Sequence, residues 1–178
     1  MILLDPELES HPARRTNAVA PLSVSRRPHL PWRERIPTKQ TLARFLTEAR
    51  AAVRLRGQVD VLLTTDKAIR RLNRQFRGID KATDVLSFPT GSVGGEEMAG
   101  ELAIGVPTAR RQAAEQGHAL TCELKVLILH GLLHLAGYDH ETDEGQMARR
   151  ERLLRAKLGL PQGLIERAST HAPRRQRP

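Results

Sequence analysis

Three histidines inside eleven residues, His130, His134 and His140 in HGLLHLAGYDH, have the types and spacing to hold a metal ion. His130 and His134 are four apart, and side chains at that spacing on a helix lie roughly 5–6 Å from one another. Two imidazole nitrogens can then each stand about 2.0–2.1 Å from one zinc ion. Gly137 can end the helix at a positive φ, and Tyr138 and Asp139 bring the chain back so that His140 approaches from another direction. Three ligands leave one tetrahedral position for a water molecule that zinc can ionise near neutral pH. The expected chemistry is metal-assisted hydrolysis with one Zn2+ per chain. The surrounding stretch is too apolar to hold unpaired imidazoles cheaply.

The element that must position this pair is a helix over 121–136, because Leu120, Leu124, Leu127, Ile128, Leu132 and Leu135 recur at steps of three and four. Around it, helices are expected at 38–56, stopping at Gly57, at 66–76 with Ile69, Leu72 and Phe76 on the buried side, from Pro107 to Gln116, and at 142–158. Strands are expected at 58–64, 83–88 and 101–106, with a Gly-rich loop at 90–100 open over a groove. Residues 1–9 contain an edge strand, and 10–36 read as a Pro- and Arg-rich insertion without regular structure. Residues 37–160 form a single hydrolase domain, followed by a basic tail at 161–178. The fold class is α+β: a small mixed sheet with helices packed over it and the ligand helix central.

The single cysteine, Cys122, makes no internal disulfide and excludes a cysteine-clustered metal site, as a reducing cytoplasm would have it. No apolar run approaches the roughly 20 residues of a membrane span, and MILL is followed at once by Asp5, Glu7 and Glu9, unlike a secretory leader. The net charge of +9 lies mostly at the C-terminal end, where residues 149–178 carry nine basic and two acidic side chains. Residues 36–148 carry fourteen of each. Within that neutral part Lys67, Arg70, Arg71, Arg74, Arg77 and Lys81 stand against Asp66 and Asp80. Arg77 is set apart by its place before Gly78, where a guanidinium can turn from the helix and fork onto phosphate oxygens.

The histidine spacing matches that of metzincin peptidases except that Gly131 stands where they carry their glutamate base, so a peptidase is disfavoured. The chain instead resembles the YbeY family of bacterial endoribonucleases over residues 58–160. Three blocks in order carry the likeness: LNRQFRGIDKATDVLSFP at 72–89, GELAIG at 100–105 and HGLLHLAGYDH at 130–140. The resemblance implies His130, His134 and His140 as zinc ligands and Arg77 as an essential arginine; Arg77 and His130 are assigned to catalysis. It also implies action on ribosomal RNA in small-subunit maturation and ribosome quality control, with the small ribosomal subunit and assembly factors as partners and no membrane. Two departures from the family pattern are Glu101, where aspartate is usual, and the insertion at 10–36.

Other residues carry weaker indications. Asp139 can orient an imidazole or cap, and Glu141 is read as a helix cap. Asp84 and Ser87 either face the cleft or bond to backbone at a sheet edge, and His118 is expected at the surface. His11, His29 and His171 receive no role. The residues favour a zinc-dependent hydrolase, and the resemblance implies that it is a single-strand endoribonuclease. The alternatives are a ribosome-assembly factor whose zinc is structural and a metallopeptidase.

Overall fold

Val59, Val61 and Leu63 alternate along the strand Gln58–Thr64 (β2), and Leu102 and Ile104 do the same along Met98–Gly105 (β4), so both strands turn one apolar face to the main core. The computed structural model describes residues 1–9, 35–90, 97–140 and 143–161. Ile2–Leu4 (β1) pairs parallel with β2, β2 pairs parallel with β4, and Val85–Pro89 (β3) pairs antiparallel with β4. Among the described residues the order is β1-β2-β4-β3, a mixed four-stranded sheet with β1 and β3 at its ends.

The helices among the described residues are Pro6–Glu9 (α1), Lys39–Val53 (α2), Asp66–Arg77 (α3), Val106–Glu115 (α4), Leu120–Leu135 (α5) and Gln146–Lys157 (α6). α5 is buried along nearly its whole length, with Leu124, Leu127, Ile128 and Leu132 fully enclosed, and it packs with α2, α4 and α6 on the sheet face that carries Leu102 and Ile104. α3 covers the other face through a smaller cluster of Ile69, Leu86 and Ala103. The ligand helix is therefore central, as its apolar periodicity requires.

Gly131 sets how closely α5 lies on the sheet. A Cβ there would stand 2.7 Å from Leu102 Cδ2 and 3.3 Å from Ser87 Oγ, and the Gly131 carbonyl accepts a hydrogen bond from Ser87 Oγ at 3.4 Å. A glutamate at this position has no room without moving Leu102. Gly131→Ala should lower unfolding free energy by about 1 kcal/mol, because overpacking of about 1–3 kcal/mol exceeds the roughly 1 kcal/mol gained in helix propensity. Denaturant unfolding checks it; unchanged or higher stability would mean that α5 lifts freely.

The structure corrects several boundaries. α2 ends at Val53 because Arg54 adopts the left-handed conformation (φ 66°) and Leu55 N–H returns to the Arg50 carbonyl at 3.1 Å. Gly57 is not the helix stop but a close-approach residue, since a Cβ there would stand 2.8 Å from both Ala99 N and the Glu97 carbonyl oxygen. β3 starts at Val85, two residues later than expected, and β4 at Met98, three earlier, so the loop at 90–100 is shorter than its glycines suggest. The edge strand in residues 1–9 is Ile2–Leu4, followed by the turn of helix α1. α6 begins at Gln146 rather than at 142, where the Asp143 carboxylate accepts from Gly145 N–H and Met147 N–H, both at 2.7 Å. The insertion beyond its last two residues, the loop tip at 91–96, Glu141 and the tail from 162 lie outside the described residues.

Candidate metal centre

His130 and His134 lie one turn apart at the C-terminal end of α5, with ring centroids 4.8 Å apart and their Nε2 atoms separated by 3.2 Å. Past Ala136 the chain doubles back at Gly137 (φ 87°), and Tyr138 N–H donates to the Leu133 carbonyl at 3.1 Å. This turn brings the His140 ring to 5.5 Å from His130 and 5.2 Å from His134, centroid to centroid. One ligand-capable nitrogen from each lies within 4.8 Å of the other two.

Burial pushes the His134 imidazole down to about 4, helped by repulsion from His130 and His140, while Asp139 and a hydrogen bond with the Tyr138 backbone pull the other way. The ring is therefore neutral at pH 7, the form that lends a lone pair to a metal. His130 Nδ1 stands 3.1 Å from Oε2 of Glu151, a residue of α6, and Arg155 pairs with the other carboxylate oxygen. Burial alone would raise Glu151, but the His130 and Arg155 contacts outweigh it and hold the carboxyl below its usual range.

Does this arrangement suit a cation? Among the described residues the His140 Nδ1 is buried without a hydrogen-bond partner, and the Nε2 atoms of His130 and His134 face each other at 3.2 Å, where only one proton fits between them. Converging, underused nitrogen donors suit a positive ion, and an all-imidazole set suits zinc among the common ones. The residues fit.

The remaining sequence candidates separate. Asp84 is occupied structurally: Oδ1 accepts from Val85 N–H at 2.8 Å and Oδ2 from the Gln112 amide at 2.9 Å. Ser87 points towards α5 but binds the Gly131 carbonyl. His118 is neither a fourth member of the group nor a plain surface residue, since its Nε2 lies 2.5 Å from Oε2 of the buried Glu123. Glu101 is exposed on β4. Arg77 is exposed in the last turn of α3, where Gly78 (φ 70°) caps the helix with its N–H on the Arg74 carbonyl.

The expected buried side of α3 is corrected at one position. Phe76 is 58% exposed, and its ring sits edge-on to Phe88 of β3 at 5.0 Å. Arg77 is thus next to a residue that leans on β3, the same strand whose Ser87 touches α5. The structure brings the three histidines together and places the arginine at the end of the layer across the sheet. Sequence reasoning missed Glu151 and Arg155; the only signal is their i,i+4 spacing, which ordinarily marks a solvated helix face.

Fold and cluster define the class: an α+β protein with a three-histidine group able to hold a metal ion. The sequence model of the family described as Endoribonuclease YbeY matches residues 33–159. An Endoribonuclease YbeY from Koribacter versatilis is 55% identical over 135 residues, covering 76% of this chain and 87% of the relative. One from Solibacter usitatus is 49% identical over 132 residues, covering 74% and 87%. The solution structure of TM1509 from Thermotoga maritima aligns at 28% identity over 80% of this chain and 96% of that one, with a TM-score of 0.48. The chain belongs to the YbeY endoribonuclease family, a family of hydrolytic nucleases.

Proposed function

We propose that this chain is a zinc-dependent endoribonuclease that cleaves single-stranded RNA in the maturation of ribosomal RNA of the small subunit and in ribosome quality control, in the cytoplasm. The observation that carries the reading is the convergence of His130, His134 and His140 in a chain of this family. A zinc ion held there would polarise a water or a phosphoryl oxygen. Among the described residues the metal-capable group comprises these three histidines, which suits a catalytic site rather than a closed structural one. No described helix is long and apolar enough to cross a membrane.

The residues divide the work. His130 and His134 offer nitrogens from a helix fixed in the core, and His140 closes the group from the turn. Arg77 holds the scissile phosphate and stabilises the charge that develops on it. Arg77 is exposed at the end of α3, beside Phe76, whose ring meets Phe88 of β3. The test compares metal-stripped and zinc-reloaded protein on unstructured RNA and on casein. RNA cleavage should vanish with the metal and return with zinc, and casein should stay intact; cleavage by the stripped protein would reject the reading.

α3 also supplies the approach surface. Lys67, Arg70, Arg71 and Arg74 line a cavity of about 290 Å³ together with a single carboxylate, Asp80. Asp80 grips Arg70 through two hydrogen bonds of 2.8 and 2.6 Å, which raise the guanidinium and lower the carboxyl. Replacing Arg70, Arg71 and Arg74 together by glutamine should raise KM for RNA and flatten the slope of log affinity against log salt by about 0.7 for each phosphate no longer neutralised. kcat should fall less than in Arg77→Ala. An unchanged salt slope would remove this face from the RNA path.

A further inference from the structure

Glu151 and Arg155 are a charged pair in the core, 2% and 1% exposed, on α6, which contributes no histidine to the cluster. A buried ion pair stabilises a fold no better than apolar residues of similar volume, so packing alone gives no reason for it. Its connections are specific. Oε2 of Glu151 faces His130 Nδ1 at 3.1 Å, Arg155 meets Oε1 as an ion pair, and Arg155 Nη1 donates to the Pro161 carbonyl at 2.9 Å. The other two histidines are held differently: His134 engages the Tyr138 backbone and feels the Asp139 carboxylate, and among the described residues His140 Nδ1 is buried without a hydrogen bond.

A neutral imidazole carries its proton on one nitrogen, and the neighbour of the other decides which. The ionised carboxylate only accepts, so the nitrogen facing it carries a proton, and a His130 with one proton holds it on Nδ1 and turns the Nε2 lone pair into the cluster, where His134 Nε2 lies 3.2 Å away. We propose that Glu151, clamped by Arg155, is a positioning residue for the metal centre that locks His130 into the Nδ1–H tautomer with Nε2 presented to the ion. This deepens the reading of the cluster as a metal centre and rests on it. The negative partner also makes Nε2 a stronger donor. Metal retention then depends on a helix that supplies no ligand, and seating α6 prepares the site.

Two measurements test this. In zinc-loaded wild-type protein, long-range 1H–15N NMR of the histidine rings should show His130 bound through Nε2, with a downfield, slowly exchanging Nδ1 proton. That readout does not depend on whether a variant folds. The double variant Glu151→Gln/Arg155→Met removes both buried charges together and so avoids stranding either. Its zinc affinity, read by competition with a chromophoric chelator, should be about ten- to a hundredfold weaker. Its circular dichroism at saturating zinc should match wild type, and the visible bands of its cobalt-substituted form should shift.

Ligation of His130 through Nδ1, or wild-type zinc affinity in the double variant, would overturn the positioning role while leaving the metal centre intact. Failure of the wild-type protein itself to take up zinc would overturn both.

Discussion

Replacing His134 by alanine is expected to take the protein from about one zinc per chain to none and to abolish RNA cleavage. The residue is one corner of the ring triangle, 3.2 Å from His130 by Nε2 and 5.2 Å from His140 by centroid, so its loss leaves two donors that no longer enclose a point. Because the ion binds only the folded chain, wild type in zinc at 100–1,000 times Kd gains about 2.7–4.1 kcal/mol that the variant lacks. At about 2–4 °C per kcal/mol, this is a difference of roughly 5–15 °C in Tm.

The comparison belongs at pH 7 or above. His134 is held down to about 4 in the fold against an ordinary value of 6.5. Between those values the unfolded chain binds the extra proton, and stability is lost as pH falls through the window. Above it the ring is neutral in both states, and the zinc-dependent part of Tm is read cleanly. Full zinc content in the variant, measured by metal analysis, would sink the ligand assignment.

Arg77→Ala is expected to leave zinc content and Tm close to wild type and to lower kcat/KM for RNA by about one to three orders of magnitude, the range for a charge contact made in the transition state. The stability expectation follows from exposure at the end of α3, where the helix cap is made by Gly78 and not by the arginine. Arg77→Lys should recover only part of the rate, since an ammonium cannot reproduce the two-pronged contact of a guanidinium with phosphate. Wild-type cleavage by Arg77→Ala would remove the residue from catalysis.

What the sequence discloses and what it hides divide along a physical line. The histidine pair is legible because four-residue spacing on an apolar-periodic run has one geometric meaning, and His140 is legible through Gly137. The strand β2 and the course of α3 follow from apolar alternation and apolar helical spacing, and the structure adds the Thr65 cap, whose hydroxyl accepts from Ala68 N–H at 3.2 Å. Phe76 is misplaced because periodicity assigns it to a face without saying where the sheet beneath that face ends. Glu151 and Arg155 stay hidden for a related reason. On α6 the same i,i+4 pair suits water or a core equally well, and only tertiary packing decides between them. His118 is misread through Glu123, a carboxylate in an apolar run whose burial local pattern does not announce.

The histidine cluster and its carboxylate are close neighbours along the chain: His130 and Glu151 are separated by 21 residues, whereas the contact joining Met1 to Asp60 at the sheet edge spans 59. The chain entropy lost on closing a loop grows with the logarithm of its length, so the shorter closure is cheaper by about 0.9 kcal/mol. α5, the turn after it and α6 thus bring the three histidines and their carboxylate together within a short stretch of chain, while their seat on the sheet and the arginine on α3 come from further away. Insertions and deletions elsewhere in the chain, including the long segment between β1 and β2, can change length without altering the spacing of the donor atoms.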